Sequence, residues 1–371
     1  MGLLGFNLST MTGGLYFGPP AWRVQAWPAI PDQPADNSVP DSRHPADRPA
    51  LRALVDSVCP KATSPWIEGL ADALNILQNG PCNRLVLNLL SDRPESQLNA
   101  GLTLFAMDQL SAGLALLAAC LKPDQVVVAL GRIDKAMNQV WRREAARRSY
   151  RICSLLDRYP QAHPLLLLRA ICSQHFYVGE SPVRSGIICL DAVTCWALGY
   201  WLSCGVAPRV RPVELFSDGA EPGIVHAGLG ENIGKLLDSA AINWKGRQCV
   251  RNGMLTGEQT DPGAALVDWQ TCSLSVRDLP AIEPEMDCIR CGWCVSVCPV
   301  ALNPLALIGQ VRLDYPPPRT GNEAAACIQC GLCSYVCPSR LPLSSSIRLL
   351  ATQQREDSPG DRRIPGDSGH E

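Results

Sequence analysis

A cysteine pattern that occurs twice constrains this chain more than any other feature. The first copy reads Cys288-Ile289-Arg290-Cys291-Gly292-Trp293-Cys294-Val295-Ser296-Val297-Cys298-Pro299. The second reads Cys327-Ile328-Gln329-Cys330-Gly331-Leu332-Cys333-Ser334-Tyr335-Val336-Cys337-Pro338. Every cysteine recurs at an offset of 39 residues (327 − 288), together with the Ile after the first, the Gly after the second, and the Val and Pro that flank the fourth. Three thiolates spaced two residues apart can face one concavity and hold three irons of a cubane. Backbone N–H groups between them can then donate to the sulfides and offset the net negative charge. Glycine after the second cysteine lets the backbone turn tightly without a Cβ clash.

Each copy is C-x2-C-x2-C-x3-C-P, the run found in bacterial two-cluster ferredoxins, where the fourth cysteine ligates the other cluster. That rule assigns Cys288, Cys291, Cys294 and Cys337 to one [4Fe–4S] cluster, and Cys327, Cys330, Cys333 and Cys298 to the other. The fourth cysteine is expected to leave its loop on a helix, where a proline is acceptable at the start. Zinc is the competing reading, but paired C-x2-C sites need neither the third cysteine nor the fourth before proline. A [3Fe–4S] cluster would be expected only if a motif cysteine were missing.

Of 18 cysteines, the ten outside the repeat show no ligand spacing and read as small buried hydrophobes. The start of the chain lacks the charged and apolar regions of a secretory signal, so thiols held for metal are favoured over disulfides. The five histidines fall in no metal or catalytic pattern. Charged residues make up 18% of the chain and the net charge is −2, with no basic excess to indicate nucleic acid. The apolar stretch 102–121 contains Asp108, Gln109 and Ser111, which fits a buried helix inside a domain better than a membrane span. Arg142, Arg143, Arg147, Arg148 and Arg151 read as a solvated helix face, or else a docking face for an acidic partner.

Composition and periodicity divide the chain into five parts. Residues 1–50 form an N-terminal segment and a Pro-rich linker. In 51–180, an interrupted helix over 53–78, strands at 84–90 and 125–130, and helices over 102–121 and 133–156 indicate an α/β layer with a mostly parallel sheet. Residues 181–275 suit a small α+β module, with strands 210–216 and 223–227 around a turn at Asp218-Gly219 and a helix at 233–241. Residues 280–348 hold the cluster domain, and 352–371 are polar enough to be disordered.

Beyond the motifs, Cys337-Pro338-Ser339-Arg340-Leu341-Pro342-Leu343 is similar to a run in the C subunit of the ion-translocating Rnf electron-transport complex. Gly13-Gly14 with Pro19-Pro20, Tyr159-Pro160-Gln161, Glu221-Pro222-Gly223 and Gly253-Met254-Leu255-Thr256-Gly257 also resemble segments of that family. The resemblance implies a Rossmann-like α/β domain like that of the complex I 51-kDa subunit, a β-grasp (SLBB-like) module and a helical two-cluster ferredoxin domain. It implies an electron relay with redox protein partners, peripheral to membrane subunits on the cytoplasmic face of the inner membrane. Family members also bind flavin and NADH through a Gly-rich loop, yet residues 51–84 contain only Gly69 and Gly80. The family's Asn-Gly-Ala-Glu-Cys-Glu-Pro run is here Asn88-Leu89-Leu90-Ser91-Asp92-Arg93-Pro94. FMN and NADH binding is therefore expected to be absent or very weak. Two other functions stay open at this point: a flavin-dependent NADH or ferredoxin oxidoreductase, and a redox-inactive scaffold whose clusters are structural.

Overall fold

The computed structural model describes residues 47–356, apart from 60, 62–65, 79, 133–134, 157, 219–222, 280–283 and 313–322. The expectations for the N-terminal segment, the turn at 218–219 and the far C-terminus fall wholly or partly outside these residues. Two compact units make up the chain. Residues up to Gln174 with Ser181–Leu279 form the first, and the residues after Leu279 with His175–Glu180 form the second.

The first unit contains two sheets. Strands β1 (Arg84–Asn88), β2 (Gln125–Gly131), β3 (Arg151–Leu155) and β4 (Ile187–Asp191) form an all-parallel sheet in the order β3-β2-β1-β4. The central β1 and β2 are nearly continuous runs of Leu and Val, as strands covered on both faces require. Two expectations change here. The helix over 133–156 is instead α5, Lys135–Arg148, followed by β3, with Ser149 at φ 59° making the turn between them. The α/β layer also continues past residue 180, because β4 pairs in register with β1.

The apolar stretch at 102–121 is two helices, α3 (Leu98–Phe105) and α4 (Met107–Leu121), bent by 96° at Ala106. No single helix among the described residues is long and apolar enough to cross a membrane. Leu102, Leu110, Leu114 and Leu117 of this pair lie in the core. Helix α4 packs closely on α7 (Ala192–Cys204): a Cβ at Gly113 would stand 1.9 Å from the Cys195 carbonyl oxygen. Helix α6 (Pro164–Cys172) is capped by His163, whose Nδ1 accepts from the Leu165 N–H at 3.3 Å. The remaining helices of this layer are α1 (Arg48–Val58) and α2 (Leu70–Leu77).

The second sheet has five strands: β5 (Val210–Ser217), β6 (Gly223–Gly228), β7 (Gln248–Arg251), β8 (Glu258–Thr260) and β9 (Ser273–Arg277). Their order is β6-β5-β9-β7-β8, with β5 and β9 parallel and the other pairs antiparallel. Helix α8 (Ile233–Ser239) packs Ile233, Leu236 and Leu237 against Val213, Leu215, Leu274 and Val276. A buried polar network ties this sheet to the α/β layer. The Glu214 carboxylate on β5 accepts from Arg93 Nη2 at 2.8 Å, Ser96 Oγ at 2.8 Å and the Gln97 N–H at 2.6 Å. Neither charge of the pair reaches solvent appreciably.

Breaking a buried pair from one side leaves the other charge uncompensated. Arg93→Met is expected to lower stability by about 3–5 kcal/mol, and Arg93→Met with Glu214→Leu by less than the two single losses together, in urea denaturation. A second expectation concerns pH. Burial lowers the His163 pKa to about 4. The unfolded chain takes up a proton near pH 6.5 and the folded chain does not, so stability falls as pH drops from about 6.5 toward 4 and then levels. His163→Asn, which keeps a cap acceptor but does not titrate, should flatten that slope in urea midpoints followed by tryptophan fluorescence.

Candidate metal centre

The second unit repeats its backbone as faithfully as its sequence. Arg290 and Gln329 both have φ of 55°, Gly292 and Gly331 have 77° and 78°, and Ala301 and Arg340 have 57° and 55°. Each glycine opens a four-residue helix, α9 (Trp293–Ser296) and α11 (Leu332–Tyr335). Longer helices follow, α10 (Pro304–Arg312) and α12 (Leu343–Glu356). The latter extends beyond residue 352, where disorder was expected. Each pair of counterparts is separated by the same 39 residues as the cysteines (343 − 304).

The fourth cysteine does not start a helix. Cys298 and Cys337 each open a tight turn, closed by Ala301 N–H donating to the Cys298 carbonyl at 3.2 Å and Arg340 N–H to the Cys337 carbonyl at 3.1 Å. Pro299 and Pro338 take the second position of these turns, where a fixed φ near −65° is favourable. The sequence alone misassigned this proline because a helix start and a turn accept it for the same reason.

The turns bring the cysteines together in two hollows. One, of about 350 Å³, is lined by Cys288, Cys291, Cys294 and Cys337, with Leu305, Leu341 and Leu343 behind them. The other, of about 360 Å³, is lined by Cys298, Cys327, Cys330 and Cys333, with Leu302, Leu332 and Ile347. Each hollow thus receives three cysteines from one motif and the fourth from the other. Their near-equal volumes fit two copies of the same group. Among the described residues, no three His, Cys, Asp or Glu side chains are set to hold a single metal ion. The candidate centres rest on the paired hollows and their donors.

Backbone amides already point at the sulfurs. Arg290 N–H approaches Cys288 Sγ at 3.4 Å, Gln329 N–H approaches Cys327 Sγ at 3.4 Å, and Leu302 N–H approaches Cys298 Sγ at 3.2 Å. Burial pushes the Cys333 thiol up to about 12 and Cys330 up to about 11, and neighbouring cysteines add to both effects. Burial also raises Cys327 and Cys294. Crowded thiols of this kind ionise only when a cationic group enters among them and displaces their protons. Such a donor set, soft sulfur with apolar walls, fits an iron–sulfur cluster.

Outside the motifs, Cys59, Cys82, Cys195, Cys249 and Cys272 are buried, and the other five cysteines are partly buried. Glu144 on α5 is buried, takes a hydrogen bond from Ser111 and pairs with Arg147 and Arg148, so that part of the arginine cluster anchors a core carboxylate. Trp293 and Tyr335 are both exposed, so neither is buried over a hollow.

The 4Fe-4S dicluster domain family matches residues 287–342. Over 206 residues the chain is 29% identical to the C subunit of the ion-translocating oxidoreductase complex of Pseudomonas aeruginosa, covering 54% of this chain and 26% of that protein. Over 210 residues it is 23% identical to the C subunit of the proton-translocating ferredoxin:NAD(+) oxidoreductase complex of Clostridium ljungdahlii, covering 55% of this chain and 46% of that one. The chain thus spans about a quarter to a half of the length of these relatives. Among solved structures, a chain of the NAD+-reducing [NiFe]-hydrogenase in its H2-reduced state superposes with a TM-score of 0.53 at 15% identity, covering 87% of this chain and 57% of that one. That likeness concerns the fold.

One consequence can be measured at a turn. A Cβ on Gly292 would meet no atom within 4 Å, but it would have to hold φ at +77°. Gly292→Ala is therefore expected to cost about 1–2 kcal/mol through the backbone alone, read as weaker amide protection of 293–296 in hydrogen exchange.

Proposed function

As a divergent relative of the C subunits of ion-translocating Rnf oxidoreductase complexes, this chain is, we propose, an electron-transfer protein that carries two [4Fe–4S] clusters. The observation that carries the reading is the crossed lining of the two hollows. Cys288, Cys291, Cys294 and Cys337 would hold one cluster, and Cys327, Cys330, Cys333 and Cys298 the other. Such clusters supply one-electron storage without any acid, base or nucleophile on the protein. The chain's own contribution is to fix the thiolates, aim amides at them and set how much water reaches them. The partners are redox proteins, among them membrane subunits of an Rnf-like complex to which this chain attaches peripherally on the cytoplasmic face of the inner membrane.

The finer fold assignment supports the same kinship. The parallel sheet reads as a Rossmann-like domain of the 51-kDa-subunit type. The five-stranded order β6-β5-β9-β7-β8, with α8 packed across it, reads as a β-grasp module of the SLBB type. A phosphate-cradling turn at the end of β1 would need glycine and open backbone. Here Leu89, Leu90, Arg93 and Ser96 are buried there, and Asn88 Nδ2 donates to the Ala162 carbonyl at 2.8 Å. These residues do not fit a flavin or nicotinamide phosphate. The flavin-dependent oxidoreductase reading draws its support from the fold likeness alone, and a flavin absorption band bleached by NADH would revive it.

Protein purified without oxygen is expected to hold about eight irons and matching sulfide per chain, two cubes' worth. Cys291→Ser and Cys330→Ser should each remove one cluster's share and leave an EPR signal from the other after dithionite. Zinc in place of iron, or clusters that dithionite leaves EPR-silent, would overturn the electron-transfer reading.

A further inference from the structure

The two cysteine sets have matching backbones but unequal surroundings. Ile289 is 68% exposed, whereas its counterpart Ile328 is 4% exposed. Trp293 is 43% exposed and its counterpart Leu332 is 3%. Cys288 and Cys291 are exposed, while Cys327 is half-buried and Cys330 is buried. The backbone torsions are the same in both copies, so the difference comes from what lies ahead of each motif. Before the second motif, Glu323–Ala326 forms a single 3-10 turn whose Ala324 packs with Leu307, Ile347 and Ala351. Cys327 and Cys333 back onto that small core. Before the first motif, residues 284–287 form no helix and all are exposed. They are tied down by Met286 N–H donating to the Ser339 carbonyl at 3.0 Å and Ser339 Oγ donating to the Asp287 carbonyl at 2.8 Å.

We infer that the two sets are unequal, with the Cys288/Cys291/Cys294/Cys337 set the accessible one, through which electrons and iron exchange with the surroundings, and the Cys327/Cys330/Cys333/Cys298 set the enclosed one. The inference rests on the reading that both sets hold clusters. One-electron reduction adds a negative charge to a cluster and takes one electron from the reductant. Water stabilises that added charge where the thiolates are exposed, and enclosure withholds the stabilisation. The first electron from an external one-electron reductant therefore settles at the accessible set, and the second reaches the enclosed set only at lower potential. Amides are aimed at Cys288 and Cys327 at the same 3.4 Å, so hydrogen bonding at that position does not offset the difference.

The test uses the full chain loaded with iron and sulfide without oxygen. Iron and sulfide content is measured first, because a shortfall there counts against the cluster reading and not against the inequality. The loaded protein is then exposed to a hydrophilic ferrous chelator with a limiting amount of ferricyanide. Two phases are expected, half of the iron leaving in the fast one. Cys330→Ser, which keeps the first set, should show only the fast phase, and Cys291→Ser only the slow one. If either variant fails to fold, stepwise reduction of the unmodified protein followed by EPR in D2O decides the matter. The first signal to appear should carry the stronger deuterium modulation. A single phase of iron loss, or equal deuterium modulation in the two signals, overturns the inference.

Discussion

The second unit depends on an exchange. Each motif supplies three cysteines to its own hollow and sends the fourth into its neighbour's. Neither loop can be placed without the other, so the two turns after Cys298 and Cys337 set the spacing of the whole unit. The small apolar groups behind the hollows are correspondingly modest. Ile308, Leu341 and Leu343 back Cys294 and Cys337, while Leu307, Ala324, Ile347 and Ala351 back Cys327 and Cys333. A core this small supplies little stability by itself. Much of the order in the loaded protein must come from sulfur–metal bonds, as in other small metal-held domains.

The first unit is organised on a different principle. Its parallel sheet is covered by helices and held by apolar burial, with Leu85, Leu87, Val128 and Leu130 wholly enclosed. The crevice beyond the carboxyl end of β1, where open α/β sheets commonly take ligands, is filled by the protein's own groups. Arg93 reaches Glu214 there, and Glu95 accepts from the Met254 N–H at 3.1 Å. An inherited layer has in this chain become a support.

Much of this was legible in the letters. Cluster ligation demands fixed spacing, so the eight cysteines and their sorting into two sets could be read directly. Strands β1 and β2 were legible because runs such as Leu85-Val86-Leu87 have no other stable use at that length. Strand β3 was not, because Arg151-Ile152-Cys153-Ser154-Leu155 follows a helix with no Gly or Pro between, and Ser149 takes the left-handed turn instead. Strand β4 was missed because its partner β1 lies about a hundred residues earlier (187 − 84 = 103). The bend at Ala106 has no proline or glycine to announce it. The inequality of the cysteine sets was invisible in principle: Ile289 and Ile328 are the same residue in the same local frame, and only the chain folded over them differs.

The Arg93–Glu214 pair also sets the limits of divisibility in this molecule. The segment between α7 and β5 has the composition of a linker, and a map drawn from sequence would place a border there. A fragment ending at Cys204 would leave a guanidinium facing apolar walls, and one starting at Val210 would leave a bare carboxylate in a dry interior. Thermodynamically the seam is a hinge of nomenclature only, and the smallest autonomous piece of this chain has to include both sheets.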